Sequence, residues 1–85
     1  MNPITVQPGK ESILLGPGIF SIVFDAPGAG QTGHYEVHYY DHQGNPTGHY
    51  INGKITSKFH SEDNLNKAYK FRVKNTGLNY PITFR

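Results

Sequence analysis

Apolar and polar side chains alternate in short segments along this chain, which is the pattern of β-strands that bury one face. The clearest case is residues 68–75, where apolar and cationic side chains fall on opposite faces: Tyr69, Phe71 and Val73 against Lys70, Arg72 and Lys74. The same alternation predicts further strands over residues 4–6, 12–15, 19–25, 34–42, 49–55 and 80–85. The pattern therefore predicts an all-β fold.

Two of these segments, 34–42 and 49–55, are separated by a stretch rich in glycine, asparagine and proline. Such residues favour tight turns, so the two segments are predicted to form a β-hairpin. Pairing through the turn places either Gly48 or His49 opposite His42.

The remaining segments suggest how the strands are arranged. Both faces of residues 19–25 are partly apolar, which predicts a central strand with one face formed by Phe20, Ile22 and Phe24. Residues Ser57 to Lys67 are predicted to cross from one sheet to the other, with one helical turn capped by Ser61. Pro81 cannot donate a backbone hydrogen bond and predicts an edge position for the last strand.

Composition favours many short strands, because 10 glycines and 6 prolines are spread along the chain. About seven or eight strands at this spacing predict a small antiparallel β-sandwich or jelly roll, with a five-stranded OB-like barrel as the alternative. We expect residues 1–85 to form a single β domain, with residues 1–7 as an N-terminal arm or an edge strand.

The chain is small, with 85 residues, no cysteine and a net charge of +2. A domain of this size buries roughly 60–65% of the surface that its unfolded chain exposes, and it has no disulfide to support it. The thin core predicts contacts with other proteins, above all with copies of this chain. No signal peptide or membrane span is visible, so we expect a soluble protein without a membrane partner.

One face of the predicted hairpin carries most of the histidines in the chain. They are joined there by one glutamate: His34, Glu36, His38 and His42 project to one side of the first strand, and His49 lies just across the turn. If His42 lay beside His49, the pair would have the geometry that a Zn²⁺ ion needs. The same residues are ordinary occupants of a solvent-facing hairpin, so they are weak metal candidates, and we expect neither a metal nor a cofactor.

Tyrosine is the second unusual feature, with 6 in the chain. Adjacent tyrosines 39 and 40 must face opposite sides of a strand, so one of them is displayed unless both faces are covered. Tyrosine suits both protein interfaces and the faces of sugars. The candidate residues for binding a ligand or partner are His38, Tyr39, Tyr40, His42, His49, Tyr50 and Asn52.

A cationic stripe on residues 68–75 consists of Lys70, Arg72 and Lys74. In the same strand the rings of Tyr69 and Phe71 point to the opposite face, so rings and charges are predicted to lie apart. Single-stranded nucleic acid is bound by rings and cations on one face. The sequence therefore disfavours nucleic acid as a partner.

No residue pattern predicts catalysis, because the chain has no cysteine nucleophile, no nucleophile elbow and no obvious carboxylate pair. We therefore expect a non-catalytic β-sandwich that acts through protein contact, as a self-assembling subunit or as a small binding module. The alternative is binding of carbohydrate or another small polar ligand through tyrosine and histidine. Single-stranded nucleic-acid binding through the cationic stripe is the second alternative.

Overall fold

The computed structural model describes residues 1–56 and 58–85, and these residues form two antiparallel β-sheets without a helix. The strands are β1 (Ile4–Val6), β2 (Ile22–Phe24), β3 (Gly33–Tyr40), β4 (Pro46–Ile55), β5 (His60–Glu62), β6 (Lys70–Asn75) and β7 (Ile82–Phe84). The four-stranded sheet has the order β1-β7-β2-β5, and the three-stranded sheet has the order β4-β3-β6. The predicted small β-sandwich is confirmed, and the alternative single barrel is wrong.

The core lies between the two sheets and is formed by the apolar side chains that alternate along the strands. Four strands supply most of the buried apolar residues: Ile22, Phe24, Tyr35, Val37, Phe71, Val73, Ile82 and Phe84. At the centre the ring centroid of Phe24 lies 4.3 Å from that of Tyr35 and 5.7 Å from that of Phe84. Aromatic rings at such separations add to the stabilisation that burial provides.

The predicted hairpin is formed by β3 and β4, with Val37 opposite Ile51. The register shifts between His38 and Tyr40, and Tyr40 then pairs with Pro46. Between these two pairs β4 contains two more residues than β3. The alternation of the sequence does not reveal such an irregularity.

Both predicted registers at the turn are wrong, because His42 lies in the turn and faces neither Gly48 nor His49. The turn is held by Asp41, whose carboxylate accepts hydrogen bonds from the backbone N–H groups of Gln43 and Asn45 at 3.0 and 2.8 Å. An aspartate that bonds the backbone ahead of it fixes the start of such a turn.

Two predictions about the later strands are also wrong. The polar residues around Ser61 form β5 rather than a helical turn, because they pair with β2, with Val23 opposite Ser61. The strand after Pro81 is not an edge, since β7 lies between β1 and β2; the proline precedes the strand and removes no bond from the ladder. The chain does cross between the sheets here, although Ser57, at the start of the predicted connection, lies outside the described residues.

The early segments are shorter than predicted. The predicted central strand contracts to β2, which is flanked by β7 and β5 as expected, but Phe20 precedes it and is 60% exposed. Residues 9–15 form isolated bridges to β6 rather than a regular strand, at Glu11 and Leu15. The hydroxyl of Ser12 accepts a bond from a β6 backbone N–H, so this segment covers the outer edge of β6.

Residues 1–7 contain β1, which forms one edge of the four-stranded sheet and pairs within its own chain, Ile4 with Phe84. Val6 is buried in the core. None of the described residues belongs to a helix of the length and apolarity needed to cross a membrane.

Candidate contact face on the three-stranded sheet

The outer face of the three-stranded sheet gathers polar, aromatic and cationic side chains from all three of its strands. We call it the cationic face, and the alternation and register assign to it His34, Glu36, His38, Tyr40, Tyr50, Asn52, Lys54, Lys70, Arg72 and Lys74. The opposite face of the same strands covers the core, so the composition of this outer face is not required for burial.

The rings of the cationic face are held by their neighbours across the strands. His38 pairs with Tyr50, and their rings are stacked with centroids 5.0 Å apart and planes 10° apart. The guanidinium of Arg72 lies 5.5 Å from the centre of the Tyr40 ring, which is a cation–π distance. These side chains therefore contact one another within the chain.

The charges of the protein are distributed unevenly. Of 8 lysines and arginines, four lie on the cationic face together with one carboxylate, that of Glu36. The remainder of the chain carries four cationic side chains and five carboxylates. Glu36 is itself engaged, because its carboxylate lies 2.7 Å from the His38 ring nitrogen and its cross-strand neighbour is Lys74.

The prediction that rings and charges lie apart is wrong. It holds within β6, where Phe71 is buried and Arg72 is not. It fails across the sheet, because Arg72 lies beside His38 and Lys70 beside Tyr40, both on β3. The alternation of a single strand says nothing about the side chains of the next strand.

The predicted binding residues do not all meet on this face. His38, Tyr40, Tyr50 and Asn52 lie on it, with the three residues of the cationic stripe. Tyr39 faces the other way, and its hydroxyl accepts a hydrogen bond from the backbone N–H of Asn66. His42 and His49 are exposed, in the turn and at the start of β4.

The weak metal candidates are divided in the same way. His34, Glu36 and His38 follow one another on the cationic face, whereas His42 and His49 do not join them. In residues 1–56 and 58–85 there is no group of three or more histidine, cysteine or acidic side chains placed to hold a metal ion.

One polar cluster, between the sheets, was not predicted. The hydroxyl of Tyr35 donates to the carboxylate of Glu62 and lies 2.7 Å from a ring nitrogen of His60. Both partners lie on β5, in the segment predicted as a polar connection. The only signal in the sequence was the alternation of His60, Ser61 and Glu62, which is too short to define a strand by itself.

The sequence matches no protein-family model, and no curated protein or solved structure shows a significant similarity to it. What the cationic face and the Tyr35 cluster do is therefore inferred from their own chemistry.

The Tyr35 cluster predicts a loss of stability in alkali. Burial and the neighbouring Glu62 carboxylate raise the pKa of Tyr35 above its ordinary value near 10. Above about pH 10 the unfolded chain loses this proton while the folded chain keeps it, so the free energy of unfolding falls by up to about 1.4 kcal/mol per pH unit.

Urea unfolding at several values between pH 8 and 11.5, on the wild type and on Tyr35→Phe, checks this prediction. The other tyrosines and the lysines are common to both proteins, so the difference isolates Tyr35. The stability advantage of the wild type over Tyr35→Phe should be constant below about pH 10 and shrink above it. An advantage that stays constant through pH 11 would contradict the assignment.

Proposed function

We propose that this protein is a non-catalytic binding module that holds an acidic segment of a partner protein against its cationic face. The observation that carries the proposal is that this face holds four cationic side chains and only one carboxylate, beside rings that contact their neighbours across the strands. Tyrosine and arginine are the side chains that most often contribute binding energy at protein interfaces. A surface of this charge attracts carboxylates and speeds their association.

The arrangement of the rings favours a protein partner over the two alternatives. One face of the Tyr50 ring is covered by His38, and Arg72 lies over Tyr40. Single-stranded nucleic acid requires successive open rings, and Tyr50, with 53% exposure, is the most open ring on this face. The hollow on the face, about 270 Å³, is lined by neither Tyr40 nor Tyr50. Its one tyrosine, Tyr35, is 1% exposed, so the hollow presents no open tyrosine ring to a sugar.

Binding of a fluorescein-labelled polyglutamate peptide tests the proposal. We expect saturable binding that weakens when salt is raised from about 50 to 200 mM, because exposed charges are screened. Lys70→Glu should weaken binding by about tenfold, since it places a second carboxylate on the face.

Lys67→Glu is the matched control, because this exposed lysine lies three residues earlier, in the loop before β6, and changes the net charge equally. Binding that survives Lys67→Glu and not Lys70→Glu supports the proposal. Equal losses in both variants, or no saturable binding, would contradict it. Tighter binding of a single-stranded oligonucleotide or of a glycan would favour the corresponding alternative.

A further inference from the structure

The long strand β4 has one open edge. It ends the order of the three-stranded sheet, and no described residue outside β3 exchanges a backbone hydrogen bond with it. The other side of this sheet is covered, because residues 9–15 bond along β6, for example from the N–H of Ser12 to the carbonyl of Val73 at 2.8 Å. An open edge of ten residues is a template for another strand.

The pairing pattern shows which backbone groups face this edge. The N–H of Thr76 donates to the carbonyl of His34 at 3.1 Å, so the backbone groups of His34 are directed to the β6 side. In an antiparallel sheet successive residues bond to opposite neighbours, so Val37 bonds toward β4 and its partner Ile51 bonds toward β3. The β4 residues left with outward N–H and C=O groups are Tyr50, Asn52 and Lys54.

Residues that discourage pairing with another strand lie mainly in the first part of β4, and residues 49–55 contain only one, Lys54. Pro46 and Gly48, which has a φ of +83°, interrupt the first part of the strand. Lys54 is its one formally charged residue. Residues 49–55 thus form a regular segment with an open backbone edge, of a kind that natural edge strands usually avoid.

We infer that β4 pairs with β4 of a second copy of this chain, antiparallel and with Asn52 on the two-fold axis. Asn52 is the midpoint of the regular segment 49–55, so this register uses the segment completely and excludes Gly48. Tyr50 then faces Lys54 of the second copy, where an ammonium group next to a ring is favourable, and no like charges face each other. The two sheets become one continuous sheet of six strands with both cationic faces on the same side.

The pairing does not depend on the proposed function, because it uses the strand edge and not a bound acidic segment. A monomeric protein that binds polyglutamate would overturn the pairing alone. A dimer that ignores polyglutamate would overturn the binding proposal alone.

Cysteine cross-linking tests the register, since the chain has no cysteine of its own. On the two-fold axis the Cα atoms of residue 52 in the two copies are about 5.5 Å apart, which a disulfide can bridge. Asn52→Cys should form a covalent dimer under mild oxidation. In Tyr50→Cys the two cysteines are offset by four residues, about 13 Å, and should not link.

Light scattering on the eluting peak of a size-exclusion column measures the assembly of the unmodified chain. We expect a dimer at about 100 µM that dissociates on dilution. Asn52→Pro should be a folded monomer, because the lost N–H has no partner within the chain. A wild-type monomer at that concentration, or equal cross-linking of Tyr50→Cys and Asn52→Cys, would overturn the inference.

Discussion

Asn75→Ala is expected to lower the free energy of unfolding by about 3–4 kcal/mol, through the loss of three hydrogen bonds made by a buried side chain. The Asn75 side chain is 1% exposed. Its amide nitrogen donates to the backbone carbonyls of Val6 and Tyr80 at 2.9 and 2.8 Å, and its oxygen accepts from the N–H of Gly77 at 2.9 Å. The side chain ties the end of β6 to the chain before β7 and to β1 in the other sheet.

The cost is large because alanine leaves these three buried or partly buried backbone groups without the amide as a partner. For a chain of this length the expected loss is a substantial part of a total free energy of unfolding of roughly 4–13 kcal/mol. Urea unfolding monitored by tyrosine fluorescence measures the change. Asn79→Ala, an exposed asparagine in the same connection, is the control and should stay within about 0.5 kcal/mol of the wild type. A loss below about 1 kcal/mol for Asn75→Ala would show that water replaces the amide.

Gly53→Ala is expected to destabilise the fold by about 2–3 kcal/mol, because the Tyr35 ring occupies the space that a side chain would need. Gly53 lies opposite Tyr35 in the β3–β4 pair. A Cβ at residue 53 would lie 2.7 Å from Cζ of Tyr35 and closer still to its hydroxyl oxygen. The ring must move, and its movement breaks the hydrogen bonds to Glu62 and His60.

A double-mutant cycle measures this coupling. In the Tyr35→Phe background the nearest atom is gone and the hydrogen bonds are already lost, so Gly53→Ala should cost at least about 1 kcal/mol less. Gly48→Ala on the same strand is the control: its Cβ meets nothing within 4 Å, and only its φ of +83° opposes alanine, at about 1 kcal/mol. Equal costs in the wild-type and Tyr35→Phe backgrounds would refute the contact.

Much of the fold could be predicted because it rests on local alternation. The buried faces of β3 and β6, the hairpin and the central place of β2 all follow from side chains that alternate with period two. Two predictions made from local residues alone were wrong. The helical turn at Ser61 and the edge assigned from Pro81 are overridden by pairing with β2 and by the order of the sheet.

For the candidate site too, the positions of residues within one strand could be predicted and the contacts between strands could not. That His38, Tyr50 and Arg72 are displayed on strands was predicted from their spacing. That these three share one row across the sheet was not, because the row depends on register. The Tyr35 cluster was missed for a related reason: its partners lie on a strand of the other sheet, 25 and 27 residues further along the chain.

The amino-acid sequence was enough to predict the class of fold and the buried faces of β3 and β6, because a strand turns every second residue to the same side whatever surrounds it. Which side chains of different strands meet depends on the packing of the two sheets and could not be predicted from the strands one at a time. That choice depends on strand order and on register shifts such as the two-residue shift between His38 and Tyr40, and both are fixed by packing between residues far apart in the chain. The cationic face and the open edge of β4 are products of that packing.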